Sequence, residues 1–438
     1  MPDYKAQLLS RLNDRSAVVG IVGMGYVGLP LAVEFARVGY RVIGLDINAE
    51  KVETLNAGIS YIPDVPTETL APLVETGHLR ATTSYDDLKN VDAVSICVPT
   101  PLRKTKDPDM SYVVSAADAV AAICHPGMLV VLESTTYPGT TDEVILPRLL
   151  GNGLKVGEEV FVAFSPERVD PGNAVYGVRN TPKVVGGVTP ACVEIVTALY
   201  EPAVDRVVPV SSTTAAEMVK LLENTFRAVN IGLVNEMALV CQRLGLDVWE
   251  IIEAASSKPF GFMPFYPGPG LGGHCIPIDP LYLSWRMRAL NYTARFIELA
   301  SEINTSMPYY VIDLVMDSLN EDGKALKGAK VGLLGMAYKR DIDDVRESPA
   351  LDVHHLLEEK GAVVSFNDPF VASVRLPGDR VDTSAALTAD WLADQDCVVI
   401  VTDHSVYDYD FILEHTSRVV DTRNATEGHT GSARVTRL

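Results

Sequence analysis

The sequence contains no apolar run of about 18 residues, the length needed to cross a bilayer as a helix. Its first stretch, MPDYKAQLLSRLNDRS, has no apolar segment of the secretory type. A cytoplasmic protein without a membrane partner is expected. Cysteine is scarce, with 6 in 438 residues, and none stands in a CxxC pair or at zinc-ligand spacing. That excludes a disulfide framework and gives no metal site. Positive charge is also in deficit: 37 Lys and Arg face 57 Asp and Glu, for a net charge of −20. Nucleic acid and anionic membrane are therefore poor partners. A phosphorylated ligand would have to be held by a few placed cations and backbone N–H groups. What is present is the balance of a globular protein, 47% hydrophobic and 21% charged. A chain this long exceeds one ordinary core, so two or three domains are expected.

The run AVVGIV (17–22) suits a buried parallel strand and leads directly into Gly23-Met24-Gly25-Tyr26-Val27-Gly28. A helical pattern follows to about Val38, then Gly39 and the strand RVIGLD (41–46). Strand, G-x-G-x-x-G turn, helix, strand and terminal acid in register form a dinucleotide fingerprint. The glycines serve a tight turn, a close approach to pyrophosphate and a helix–strand contact, while the helix N-terminus faces the phosphates. Asp46 can accept from ribose hydroxyls and would repel a 2′-phosphate. Ile47 and Asn48 follow it, with no arginine to hold that phosphate. NAD is expected rather than NADP.

Strand and helix patterns then alternate through 92–99, 112–124, 128–134, 141–150, 160–164, 183–187 and 206–210. This predicts a doubly wound α/β domain over 1–210. Thr100, Thr135 and Glu167 follow strand ends, the side that faces ligand in such sheets. Residues 213–244 read as one long helix, apolar nearly all round, to be buried against other helices or another subunit. Lys220, Glu223, Asn224 and Arg227 interrupt it, with Lys220 and Asn224 on one face. The pattern suits either a solvated Lys–Glu pair or a buried lysine with a task.

Residues 264–280 carry four glycines and five prolines in seventeen positions, which excludes a helix or central strand there. Cys275 and Asp279 stand four apart in it. A helical segment near 293–320 follows, then a second α/β unit that begins with strand, glycine turn and helix at KVGLLGMAYK (330–339) and continues with strands at 362–368, 396–403 and 418–424. Its glycine fingerprint is degraded to Gly332 and Gly335, and the polar residues 425–438 are expected to be poorly anchored. The predicted architecture is α/β, two Rossmann-like doubly wound domains (1–210 and 321–438) joined by a helical region (211–320).

An NAD domain proposes hydride transfer. Lys220 and Asn224 can donate to a developing oxyanion. Those parts alone would serve a two-electron hydroxyacid-type dehydrogenase, and the fingerprint alone would serve a non-catalytic NAD-binding regulator. Cys275 adds a nucleophile that can trap an aldehyde and carry it on to a thioester, hence a carboxylate. Lys220 would favour its thiolate. Asp279 and Glu167 would act as base or hold water. His274 would point away from its neighbour and is not assigned a catalytic role.

The motifs GMGYVGLPLA, ESTTYPGTT, SPER, KLLENTFRAVNIGLVNE, GPGLGGHCIPIDP, YKRDIDDVRESP and VTDH occur in this order. In them the chain resembles the UDP-glucose/GDP-mannose dehydrogenase family over essentially its whole length. The resemblance implies NAD-dependent, four-electron oxidation of a nucleotide-sugar C6 hydroxyl to a uronic acid, in a homodimer or larger assembly built on the long helix. It places the nucleophile on Cys275, its helpers on Lys220, Asn224 and Asp279, a proton-transfer carboxylate on Glu167 and a water-holding hydroxyl on Thr135. It places NAD on residues 23–28, Asp46, Lys51, Thr100, Thr135 and Arg346. It places the UDP-sugar on Glu167, Arg168, Lys220, Asn224, Tyr266, Gly268, Gly270, Gly272, Lys339 and Arg423. Some relatives carry a second glutamate where this chain has Pro171. The wording around Cys275 resembles the branch acting on UDP-N-acetylhexosamines. That favours UDP-N-acetylglucosamine, then UDP-N-acetylmannosamine and UDP-glucose, with the product feeding polysaccharide synthesis.

Overall fold

The structure is a computed structural model that describes residues 2–103, 107–151, 153–170, 173, 175–273 and 275–438. The chain divides into two compact units, one of Met1–Glu223 with Trp285–Asn291, the other of Asn224–Ser284 with Tyr292–Leu438.

The first unit is built on one sheet of strands β1 (Val18–Val22), β2 (Arg41–Leu45), β3 (Leu79–Thr82), β4 (Ala93–Ile96), β5 (Leu129–Leu132), β6 (Phe161–Phe164), β7 (Lys183–Gly187) and β8 (Val207–Val210). Their order is β3-β2-β1-β4-β5-β6-β7-β8, parallel throughout except between β6 and β7. β4, β5, β6 and β7 are buried at every position, as strands covered on both faces must be. Helices α1 (Tyr4–Asn13), α2 (Gly28–Arg37), α3 (Ala49–Asn56), α4 (Thr67–Glu75), α5 (Ser111–Ile123), α6 (Leu146–Leu150) and α7 (Pro190–Tyr200) complete it. Strand order reverses between β1 and β4, which sets the ligand crevice at their C-terminal ends.

Helix α8 (Thr213–Leu244) runs through the division between the units. Within this single chain it exposes Leu222, Phe226, Leu233, Met237, Val240 and Leu244, the apolar face that the sequence assigns to other helices or another subunit. In the second unit α9 (Val248–Ser256), α11 (Arg295–Asn320) and α12 (Pro349–Glu359) accompany a parallel sheet, while α10 (Asp279–Ala289) begins at the end of the Gly/Pro stretch. That sheet contains β9 (Lys330–Leu334), β10 (Val363–Asn367), β13 (Cys397–Ile400), β14 (Arg418–Asp421) and β15 (Arg434–Arg437), in the order β10-β9-β13-β14-β15. A small antiparallel pair, β11 (Ser373–Arg375) with β12 (Val381–Thr383), and helices α13 (Ala389–Ala393) and α14 (Tyr409–His415) fill the connections. Its strand order reverses between β9 and β13, again the place for a ligand.

The C-terminal residues correct an expectation. Instead of a loose polar tail they form β15, paired in parallel with β14 from Arg418↔Arg434 to Asp421↔Arg437. Leu438 is buried, and its carbonyl accepts from the Trp249 indole at 2.9 Å. Polar side chains on an edge strand do not announce a strand, because its outward face stays wet. Among the described residues no helix is long and apolar enough to cross a membrane.

Candidate active site

At the first β–α turn each glycine has a separate physical reason. Gly23 has φ +95°, and a Cβ there would lie 2.6 Å from the Cys97 carbonyl oxygen. A Cβ on Gly28 would lie 1.8 Å from the Gly23 carbonyl oxygen, so α2 can start this close to β1 only with glycine. A Cβ on Gly25 would meet nothing within 4 Å. That glycine faces open space, as a close ligand approach requires. Helix α2 starts after Val27 with no side-chain cap; Leu29 N donates to the Gly25 carbonyl and Pro30 has no N–H, so an anion there would meet the positive end of the helix rather than a full set of amides. Asp46 closes the turn: Oδ2 accepts from Met24 N at 3.1 Å and Oδ1 from Asn48 N at 2.9 Å. Tyr61 donates to the Met24 carbonyl, and the Lys51 ammonium lies over the Tyr61 ring. Tyr26 is exposed, whereas Lys51, Thr100 and Thr135 are half-buried. Thr100 and Thr135 follow β4 and β5, on the crevice side.

Behind this crevice lies a charged cluster that sequence reading missed. Glu167, just beyond β6, has Oε1 accepting from Arg168 N at 2.7 Å and Val169 N at 2.8 Å. Its Oε2 is 3.5 Å from the Lys183 ammonium, which lies 2.7 Å from Glu133 Oε2. Tyr200 donates its hydroxyl to the other Glu133 oxygen. Burial pushes the Glu167 carboxyl up, but Lys183, the Val169 amide, Lys220 and the Arg168 amide together hold it below the usual glutamate range. Burial pushes Glu133 above that range despite Lys183. Glu133 begins the EST motif, yet Lys183 sits in an apolar strand run and Tyr200 ends a helix. Only tertiary contact joins the three.

Lys220 is buried on α8 and forms no ion pair with any described residue. The solvated Lys–Glu pair does not form. Glu223 is instead held by Arg168, whose Nε donates at 3.1 Å and Nη2 at 2.5 Å, with Nη1 on the Pro182 carbonyl. Arg168, expected to bind substrate, is thus fixed by protein.

The second unit brings Cys275, Asp279 and Asn224 together. The Asp279 amide donates to the Cys275 carbonyl at 2.8 Å, so the thiol precedes α10 by one turn. Asn224 donates its side-chain amide to Asp279 Oδ2 at 2.6 Å, both groups being buried. Cys275 itself is half-buried. His274 and Pro171 lie outside the described residues.

The glycines before Cys275 have protein on the side a Cβ would take. A Cβ on Gly268 would lie 2.7 Å from Arg423 Nη1, one on Gly272 2.5 Å from Tyr338 Cβ, and one on Gly270 3.1 Å from Pro349. The loop is seated on the residues that follow β9 and β14. Gly268 N donates to Asn235 Oδ1, and Gly273 N to the Arg346 carbonyl. Arg423 donates its Nε to the Val401 carbonyl at 2.9 Å. Tyr266 is exposed and stacks on Trp249, and Lys339 is half-buried beyond β9. Arg346 is bound to Asp344 through Nε and Nη2.

Three models of one family match in sequence order: its NAD binding domain over residues 17–204, its central domain over 214–306 and its UDP binding domain over 332–428. The chain belongs to the UDP-glucose/GDP-mannose dehydrogenase family. UDP-N-acetyl-D-mannosamine dehydrogenase of Escherichia coli K12 is 37% identical over 406 residues, 89% of this chain and 94% of that protein. Among solved structures, UDP-D-ManNAc dehydrogenase of Pyrococcus horikoshii superposes with a TM-score of 0.88 at 34% identity, covering 96% of this chain and 99% of that one. A UDP-glucose dehydrogenase of Pyrobaculum islandicum follows at 0.84 and 30% identity, covering 96% and 97%. The enzyme is an NAD-dependent nucleotide-sugar dehydrogenase. Its first β–α turn fits that cofactor: open space at Gly25, the positive N-terminal end of α2 without a side-chain cap and an acid at the end of β2.

Proposed function

We propose that the enzyme oxidises the C6 hydroxyl of a UDP-N-acetylhexosamine to the carboxylate, a four-electron reaction with two NAD⁺ consumed per sugar. The supporting observation is Cys275 one helical turn before Asp279, with Asn224 fixing that carboxylate. A two-electron dehydrogenase has no use for the thiol. Bound NAD⁺ supplies the hydride acceptor once in each two-electron step. Cys275 Sγ adds to the C6 aldehyde, giving a thiohemiacetal. Loss of hydride and the hydroxyl proton turns that into a thioester, and water releases the acid and the thiol. Lys220 and Asn224 hold the oxyanion, Asp279 moves the thiol proton, and Glu167 takes a proton from the hydrolytic water, which Thr135 orients. An ionised Glu167 is what that last role requires.

Residues 23–28, Asp46, Lys51, Thr100 and Arg346 hold NAD in this reading. Arg168, Tyr266, the backbone of 268–272, Lys339 and Arg423 hold the UDP-sugar. The working division is an NAD domain over 1–210, a helical domain over 211–320 and a UDP domain over 321–438. Loop wording favoured the glucosamine epimer. The E. coli and P. horikoshii relatives are named for the mannosamine epimer, so we place UDP-N-acetylmannosamine first and UDP-N-acetylglucosamine second. Family membership sets aside a non-catalytic regulator. The exposed apolar stripe of α8 supports a dimer, and we place the enzyme in the cytoplasm. The test is NADH formed per sugar across a panel of UDP-sugars under limiting sugar. Two per UDP-N-acetylmannosamine supports the thioester route, and one rejects it.

A further inference from the structure

We propose that Lys183 is a positioning residue for Glu167, and that Lys183, Glu133 and Tyr200 form a buried charge relay setting when that carboxylate can act as base. This rests on the reading of Glu167 as the base for thioester hydrolysis. Three ionisable groups lie together almost without solvent: side-chain exposure is 0% for Glu133, 4% for Lys183 and 10% for Glu167. Such a cluster is not explained by stability, since a buried ion pair is commonly matched or bettered by apolar residues of the same volume. Its geometry is unequal. Lys183 is 2.7 Å from Glu133 and 3.5 Å from Glu167, so the nearer carboxylate retains the ammonium while the farther one feels its charge.

The oxygens of Glu167 are divided in the same sense. Oε1 is filled by two backbone N–H groups, and Oε2 faces Lys183. One oxygen is anchored and the other, only loosely held, is available to a water. The charged and titratable groups facing Glu167 are Lys183 on β7, Glu133 after β5, Lys220 on α8 and the Cys97 thiol after β4. Tyr200 on α7 closes the back of the cluster by donating to Glu133. Burial pushes Lys183 down, yet Glu133 and Glu167 outweigh this and hold the ammonium above the ordinary lysine value. It therefore stays charged through the working pH range.

Removing that charge leaves two buried carboxylates side by side, and one of them must take up a proton. Lys183→Met should create an acid limb in the kcat–pH profile, roughly 1 to 3 units above any limb of the wild type. KM for the UDP-sugar should change little, and Lys183→Arg should restore the wild-type profile. Lys183→Met with Glu133→Gln removes both buried charges together, so it is expected to fold even where the single variant does not. Its limb should lie between those of wild type and Lys183→Met, because Glu167 loses its cation but also its repelling neighbour. A loss of activity equal at every pH, or a double variant with the wild-type profile, overturns the proposal. Glu167→Gln separates this from failure of the underlying reading. If it turns over at close to the wild-type rate, Glu167 is not the base. If it is inactive while the Lys183 variants show no displaced limb, the relay alone fails.

Discussion

Asp46 and Asp368 hold equivalent places in their two sheets, each beyond the second strand and accepting from the methionine amide of the turn after the first. Asp46 Oδ2 receives Met24 N at 3.1 Å, and Asp368 Oδ2 receives Met336 N at 2.6 Å. Their surroundings separate them. Asp46 is half-buried, with Met24 and Asn48 as its hydrogen-bonded amides among the described residues. Asp368 is buried and also takes Ala337 N, Phe370 N, Val371 N and His404 Nε2. His404 Nδ1 accepts from Asp341 N, so the proton is on Nε2 and points at Asp368. The first acid has lone pairs left for a ribose; the second has been turned into a structural clamp.

Asp46→Ala should therefore weaken NAD binding by roughly 10- to 100-fold, the loss of a charge-assisted hydrogen bond or two. Discrimination against NADP should fall with it, because the repelling carboxylate is gone. Titration by NAD fluorescence quenching measures both, and unchanged affinity would contradict the assignment.

Asp368 carries a pH signature. Burial pushes its carboxyl up, but His404 and the amides of Ala337, Met336 and Phe370 outweigh this and hold it below the usual aspartate range. A depressed folded value contributes stability above the unfolded value of about 3.9, lost as pH falls through the folded one. Asp368→Asn should lower the denaturation midpoint at neutral pH and flatten its decline below about pH 4. Parallel melting curves for the two proteins at pH 3 and pH 7 test this.

Cys275→Ser should reduce carboxylate formation by roughly 10³-fold or more, since the hydroxyl is a far weaker nucleophile toward the aldehyde. Product analysis by mass decides it, and full-rate carboxylate from the variant would sink the thioester route.

The stripe Leu222, Phe226, Leu233, Met237, Val240 and Leu244 returns at helical spacing along α8. An apolar stripe of that length needs a cover. Leu233→Asp with Met237→Lys, a charge pair one turn apart, should halve the mass seen by light scattering without lowering helix content. A wild-type monomer at micromolar concentration would remove the premise.

Deleting Arg434–Leu438 should destabilise the second unit by about 2 to 3 kcal/mol, chiefly through loss of the buried Leu438 side chain and its strand pairing. Thermal unfolding monitored by circular dichroism checks this, and an unchanged midpoint would show that β15 adds nothing.

Much of this enzyme was legible in its residues because the determinants are local. Apolar runs, the glycine spacing and Asp46 lie within one β–α–β unit, where backbone sterics and hydrogen bonding act over a few residues. The order of motifs likewise declared the family. The Lys220–Asn224 pair was visible for the same reason, being one turn of an evident helix, whereas Cys275 and Asp279 stood in a stretch that its glycines and prolines marked as irregular, and only the structure makes their spacing a helical turn. Tertiary structure alone decided the partners. It gave Glu223 to Arg168 rather than Lys220, joined Glu133, Lys183 and Tyr200 behind Glu167, and put protein against Gly268 and Gly272. It also made a strand of the polar C-terminus. A buried charge is tolerable only beside its counter-charge, and a Cβ is excluded only by a neighbour. Both neighbours come from distant chain segments, so no local pattern announces them.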